Sequence, residues 1–456
     1  MSDSKSGFEK SSLRKLLMSG KGRIHFVGVL GISMSSIAAW CIERGFTVSG
    51  SDIRASGETK IHNGVRMLDE DEKQDLIGAD LLVYSLAIPY NNKERKIARE
   101  NHIPEISRPE MLGAIMMLYE IRIGVSGTHG KSTTSAMIYH ILRECGKDPT
   151  AFIGAKINGD KSYFIGGDKY FVYEACEYKD AFLHFEPNYA IITSVELDHT
   201  DYFSDISVLR ESFVRSVRSA DKVYISTDIP GAHELGDKAK ARSIEYYGVM
   251  CTDGYSYRID SFSLNGTNFT VYHHDREIGS FSIPIPGEYN VRNALVAIAL
   301  AIDIGIGACQ INRALSTFFG IDGRMEYIGD VSGRRVYMDY AHHPTAVRET
   351  ITLMKSVCER VTVVFRPHTY TRTRDFAKEF ADSLSIADSV IITDIYPARE
   401  DPIPGVDAEW LASLTRGGVY KPIDRVADWV LSFTDGVVIL MGAGDLSLVK
   451  MMIFKT

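Results

Sequence analysis

The sequence predicts an α/β protein of three domains, each built on a mainly parallel sheet with flanking helices. Three observations predict it. Apolar runs rich in β-formers alternate with segments of helical period along the chain, the pattern of parallel strands joined by crossover helices. The alternation restarts near residues 23, 121 and 322. The length of 456 residues suits about three domains of ~150 residues.

In the first domain, 1–119, residues 23–28 read as a buried strand, and Met34 to Glu43 place Ile37, Trp40 and Cys41 at helical spacing. Further strands are predicted at 47–50 and 80–85. Pro104 and Pro109 punctuate the end, and a helix over 110–119 leads out. In the second domain, 120–321, a strand at 121–127 precedes a helix with Met137, Ile138, Ile141, Leu142 and Cys145 on one face. Residues 169–175 and 189–195 read as central parallel strands. Residues 255–285 alternate, and Asn265-Gly266 signals an antiparallel hairpin added to this P-loop-type domain. An apolar helix follows over 290–304. The third domain, 322–456, carries predicted strands at 336–340, 361–365, 389–394 and 437–441. Right-handed crossovers favour a doubly wound arrangement in each domain.

Composition narrows the function. Hydrophobic residues make up 45% and charged residues 24%, with a net charge of -8. Those values exclude collagen-like and disordered classes, and the acidic balance argues against nucleic acid as a partner. The six cysteines are scattered without a C-x-x-C, which fits a reducing cytosol. Residues 1–22 lack a signal-peptide core, and the longest apolar run, Ala294 to Ile302, is too short to span a bilayer. A soluble, cytoplasmic protein without membrane insertion, monomeric or homodimeric, is expected.

The strongest motif is Gly127-Thr128-His129-Gly130-Lys131-Ser132-Thr133. It follows a predicted strand and opens a helix, whose free N–H groups and dipole favour phosphate oxygens. Lys131 adds a point charge, and the Ser132 hydroxyl suits Mg2+. The motif departs from G-x-x-x-x-G-K-[ST] at Val125. Glu174 and His199 follow the two central strands, so both fall on carboxyl-end loops, where a second Mg2+ site is expected. In the first domain, Gly28 and Gly31 lie between strand and helix, and Asp52 ends the next strand. A nicotinamide dinucleotide, a nucleotide-sugar and a bare tight turn all fit that pattern. In the third domain, Asp339, His342, His343 and Arg372 fall on carboxyl-end loops, where Arg372 suits a carboxylate.

Together GTHGKSTT, the strand ending in Glu174, ELDHTDYF, PGEYNVRNA, DYAHHPT, RPHTYTRTRDF and MGAGDL resemble the Mur ligases over about residues 23–446. DYAHHPT and PHTYTRT point to the branch that attaches L-alanine. The resemblance implies ATP-dependent ligation of L-alanine to UDP-N-acetylmuramate through an acyl-phosphate and a tetrahedral intermediate, for peptidoglycan precursors. It implies ATP and Mg2+ (Mn2+ as a substitute) as cofactors. Gly31, Ile32, Ser33, Asp52 and Ser85 would bind the UDP-sugar. Residues 127–133, Asn290, Asn293 and Arg324 would bind ATP, and Ser132, Glu174 and His199 would hold metal. His342, His343 and Arg372 would meet the amino acid, with Lys131, His199, Asp339 and Arg372 in catalysis.

The chain departs from the family at Gly323, where a second arginine is usual, at Cys176 to Lys179, at Thr369 and at Ser33. Three other functions compete. One joins a recycled peptide to the same sugar, one is an NAD(P)-dependent oxidoreductase, and one is a regulatory P-loop ATPase.

Overall fold

The computed structural model describes residues 10–55, 61–157, 159, 161–398, 400–432, 436–444 and 446–454. They divide into two compact units. The first comprises Met1–Lys156, Asp160–Val195 and Arg210–Tyr247, and the second Ile157–Gly159, Glu196–Leu209 and Gly248–Thr456.

The first unit holds a six-stranded sheet in the order Ile61–His62, Val65–Met67, Thr47–Ser51, Arg23–Val27, Leu81–Tyr84, Glu105–Ser107. All neighbours are parallel except the first pair. Strand order reverses at Arg23–Val27, so the loop after Val27 opens into the crevice where open α/β sheets bind ligands. The second sheet of this unit runs Ile244–Tyr247, Lys222–Ser226, Tyr189–Ile192, Ile121–Ser126, Tyr170–Glu174, Thr150–Phe152, Tyr163–Phe164. Here the reversal falls at Ile121–Ser126, immediately before the phosphate motif. Buried polar contacts join the two sheets' elements: Trp40 Nε1 donates to Tyr119 Oη at 2.8 Å, and that hydroxyl to Thr150 Oγ1 at 3.2 Å.

The second unit holds an antiparallel meander, Gly254–Ser263, Gly266–His273 and Arg276–Ile283. Its other sheet runs Glu326–Val331, Arg334–Asp339, Val437–Gly442, Val361–Arg366, Ser389–Ile392, Gly418–Tyr420. Only its first pair is antiparallel. The core of this sheet is dense in Val and Ile, including Val363, Val364, Ile391 and Ile439, all fully buried, as parallel strands covered on both faces require.

Two predicted details shift. The hairpin turn is Leu264-Asn265, and Gly266 opens the return strand. Gly266 has φ +148°, and a Cβ there would lie 2.5 Å from the Ile283 carbonyl oxygen, so the glycine serves close strand approach rather than the turn. The helix predicted over 110–119 spans Arg108–Met116. Ser107 and Glu110 form a capping box that starts it, and Pro109 sits in its first turn, where a missing N–H costs nothing. Among the described residues no helix is long and apolar enough to cross a membrane.

Candidate active site

The phosphate motif turns sharply from the strand Ile121–Ser126 into the helix Lys131–Glu144, with Gly130 as N-cap at φ +82°. The loop is tied to the neighbouring strand end. Thr128 N–H donates to Ser194 O at 3.1 Å, His129 N–H to Ser194 Oγ at 2.7 Å, and Thr193 Oγ1 to Ser126 O at 3.1 Å. Gly127 has φ +138°, and a Cβ on it would stand 2.1 Å from Thr193 Oγ1 and 2.9 Å from Ser194 N. No side chain fits without moving the backbone. Gly127→Ala is therefore expected to cost about 1–3 kcal/mol and to raise the KM for ATP, checked by thermal unfolding and by ATP titration of the assay described below.

Lys131 opens the helix and points back under the loop. Its Nζ lies 3.0 and 3.1 Å from the two oxygens of Glu177 and donates to the Gly127 carbonyl. Glu177 is buried. Burial alone would lower the lysine pKa, but Glu177 more than offsets this and holds it above the usual lysine value. Lys131 is therefore charged at neutral pH. Glu177 was invisible to sequence reasoning because it lies 46 residues away within the Cys176–Lys179 departure. The Cys176 thiol is pushed up in pKa by burial and by Glu177, which makes it a poor nucleophile.

Glu174 ends the strand Tyr170–Glu174, paired in parallel with Ile121–Ser126, so it stands at the same sheet edge as the loop. Its carboxylate accepts the Gly154 N–H. The Ser132 hydroxyl and the Glu174 carboxylate are hard oxygen donors, the kind that Mg2+ takes.

Around the first sheet, Gly31 caps the helix Ile32–Glu43. Asp52 Oδ2 accepts the Leu30 N–H at 2.9 Å, and Oδ1 accepts from Arg54 Nε at 3.0 Å. Burial would raise the Asp52 pKa, but Arg54 and the backbone donors bring it below the usual carboxylate value. Ser85 lies against the turn: a Cβ on Gly28 would be 3.3 Å from Ser85 Cβ. The structure thus gathers Gly31, Ile32, Ser33, Asp52 and Ser85 beyond the carboxyl ends of three adjacent strands, Ile32 and Ser33 in the first turn of the following helix.

The second unit holds the other sequence-predicted residues. Asn290 and Asn293 are buried in the first turns of the helix Glu288–Asp303, and Asn290 Nδ2 donates to Pro286 O at 2.6 Å. His199 has φ +53°, in the left-handed region. Asp339, at the end of its strand, accepts N–H bonds from Ala341 at 2.8 Å and Met325 at 3.1 Å. Burial raises its pKa, with Arg324 opposing. Asp339 thus pins the Gly323–Met325 turn, and the Arg324 guanidinium lies 4.9 Å over the Tyr340 ring. This carboxylate, expected in catalysis, also holds the backbone of that turn.

Arg372 is likewise engaged. Its Nη2 and Nε donate to Asp198 Oδ1 at 2.6 and 3.2 Å, and its Nη1 lies 2.7 Å from His368 Nδ1. Both members of the ion pair are buried. Burial would raise the Asp198 pKa, but Arg372 overcomes it and holds the carboxyl well below the usual range. His368 is lowered to about 4 by burial and by Arg372. Burial, then Arg372, also pulls His342 well below the ordinary histidine value, and its Nδ1 sits 2.7 Å from the Tyr340 carbonyl. Both rings are neutral at pH 7. His343 is the N-cap of the helix Pro344–Val357, 3.7 Å from Glu196. Thr369, at φ +62°, caps the helix Tyr370–Asp375 by accepting the Arg372 N–H at 3.4 Å.

Comparison with known proteins identifies one family along most of the chain. Residues 23–120 match the Mur ligase family catalytic domain, residues 125–301 the Mur ligase middle domain, and residues 323–450 the Mur ligase glutamate ligase domain. The UDP-N-acetylmuramate–L-alanine ligase of Agathobacter rectalis is 37% identical over 439 residues, covering 92% of this chain and 95% of that one. The same-named protein of Caldanaerobacter subterraneus is 36% identical over 440 residues, covering 93% and 95%. Among solved structures, the UDP-N-acetylmuramate-alanine ligase of Thermotoga maritima superposes with a TM-score of 0.79 at 26% identity, covering 95% of this chain and 98% of that one. With three consecutive domain matches and relatives similar along nearly their whole length, this chain belongs to the Mur ligase family.

Proposed function

We propose that this protein is the ATP-dependent ligase that joins L-alanine to UDP-N-acetylmuramate, giving UDP-N-acetylmuramoyl-L-alanine, ADP and phosphate. The observation that carries the reading is the strand-to-helix phosphate loop with a charged lysine beneath it, in a chain similar along its length to ligases of that name.

Amide formation from a carboxylate needs a leaving group better than oxide. The lactyl carboxylate attacks the γ-phosphorus, ADP departs, and an acyl-phosphate remains. Repulsion between the two anions must be masked. Lys131 supplies a positive charge, and the free N–H groups opening the helix Lys131–Glu144 supply a partial one. Ser132 and Glu174 would hold Mg2+, which would screen phosphate charge and stabilise the transferring group; His199 is a metal ligand by the family resemblance alone. The neutral amine of alanine then attacks the acyl carbon, and the tetrahedral intermediate collapses with loss of phosphate. Asn290 and Asn293 contact the adenine, and Arg324 reaches the phosphates from a turn that Asp339 positions. Arg372, with His342 and His343, holds the alanine carboxylate. Gly31, Ile32, Ser33, Asp52 and Ser85 bind the UDP-sugar.

The test is release of ADP and phosphate with UDP-N-acetylmuramate, L-alanine, ATP and Mg2+, each omitted in turn. Turnover is expected only with all four present. Turnover with a tripeptide but not with alanine would favour the recycling reaction, and ATP hydrolysis indifferent to the UDP-sugar would remove the ligase reading.

A further inference from the structure

Arg108, the first residue of the helix Arg108–Met116, carries a feature none of the assignments above uses. It is only partly exposed. Its one hydrogen bond among the described residues runs from Nη1 to the Ser33 hydroxyl at 3.2 Å. A half-buried guanidinium presents five donors and cannot shed its charge, so the donors turned from water are best met by a carboxylate or a bound anion. Among the described residues no carboxylate bonds to it. Burial lowers the Arg108 pKa, and only the Cys176 thiol pulls it back. By contrast Arg95, in the helix Lys93–Glu100 of the same unit, makes a fork with both oxygens of Glu105 at 2.8 and 3.3 Å.

The surroundings say what the missing partner is. Ser33 is the second residue of the helix Ile32–Glu43. That helix opens on the loop assigned above to the UDP-sugar, and the N–H groups of its first turn favour anions. The Cys176 thiol, two residues beyond Glu174, is near enough to oppose the lowering of the Arg108 pKa. The helix Arg108–Met116 is pressed against that region: a Cβ on Gly113 would lie 2.4 Å from the His184 carbonyl oxygen. The helix that begins at Arg108 thus reaches the sugar-nucleotide loop through Ser33 and the segment following Glu174 through Gly113.

We propose that Arg108 is a substrate-binding residue whose guanidinium, steadied by Ser33, grips an oxyanion of the sugar nucleotide: its diphosphate or its lactyl carboxylate. The proposal rests on the UDP-sugar reading of the first sheet and adds a residue to it. Ser33, where the family has glycine, then has a purpose, since its hydroxyl sets the orientation of the fork.

Calorimetric titration of the full-length protein with UDP, UDP-N-acetylglucosamine and UDP-N-acetylmuramate tests this in the unaltered chain, Arg108→Gln and Arg108→Lys. The Kd of UDP-N-acetylmuramate is expected to rise about tenfold or more in Arg108→Gln, with partial recovery in Arg108→Lys. Equal weakening of all three ligands assigns the diphosphate, and weakening of UDP-N-acetylmuramate alone assigns the carboxylate. An unchanged Kd in Arg108→Gln overturns the proposal. If the unaltered chain bound none of the three, the UDP-sugar reading would fall, and this assignment with it. Should Arg108→Gln not fold, Ser33→Gly carries the test, with a smaller rise expected in the same ligands and no change in the Kd of ATP.

Discussion

Replacing Lys131 by alanine is expected to reduce kcat by about 10³-fold or more, the scale on which a preorganised charge at a transferring phosphoryl group acts. The fold adds a complication that the motif alone does not reveal. Lys131 is the counter-ion of the buried Glu177, so the substitution also strands a carboxylate, at a cost of about 3–5 kcal/mol. Loss of activity in Lys131→Ala alone could therefore reflect instability. The double variant Lys131→Met with Glu177→Gln separates the two effects. It removes the charge from both sides, so thermal unfolding should recover towards that of the unaltered chain while turnover stays lost. Near-normal turnover in the double variant would reassign the loop. In the unaltered protein the Lys131 pKa lies above its ordinary value of 10.5. The pair's contribution to stability is complete at neutral pH and is lost only as pH rises through that elevated value.

Arg372→Ala is expected to raise the KM for L-alanine by roughly 10²-fold, since two charge-assisted hydrogen bonds of about 1.5–3 kcal/mol each are at stake. The KM for ATP should change little. The structure shows two guanidinium N–H groups committed to Asp198 and a third beside His368. Arg372 therefore meets its ligand pre-oriented, through the donors that remain. Truncation would again leave a buried carboxylate, and Asp198→Asn in the Arg372→Ala background should restore stability without restoring the KM. Arg372→Lys keeps the charge but loses the fork, and should recover little of the alanine KM. Parallel increases in both KM values would move Arg372 to the nucleotide.

Much of this architecture was legible in the chain. Buried strands such as Tyr170–Glu174, Ser389–Ile392 and Val437–Gly442 are near-continuous apolar runs, and parallel sheets demand such runs. The phosphate loop was legible because its requirements are local: a strand, glycines that tolerate positive φ, then a helix start. The short strands Ile61–His62, Thr150–Phe152, Tyr163–Phe164 and Gly418–Tyr420, at or next to sheet edges, were not, because two or three residues carry no measurable period. Their existence depends on a neighbour's ladder of hydrogen bonds.

The sequence by itself determined the alternation of strands and helices, the placing of candidate residues at strand ends, and the strand–turn–helix form of the glycine-rich loop. Each follows from forces acting over a few residues: burial period, backbone sterics and helix-end charge. Tertiary structure alone decided who faces whom. Lys131 meets Glu177 across 46 residues, Arg108 meets Ser33 across 75, and Arg372 meets Asp198 across 174. At such separations neither propensity nor spacing carries information. The pairing is set by where packed sheets bring the loops, and burial then makes each charge depend on the partner it finds.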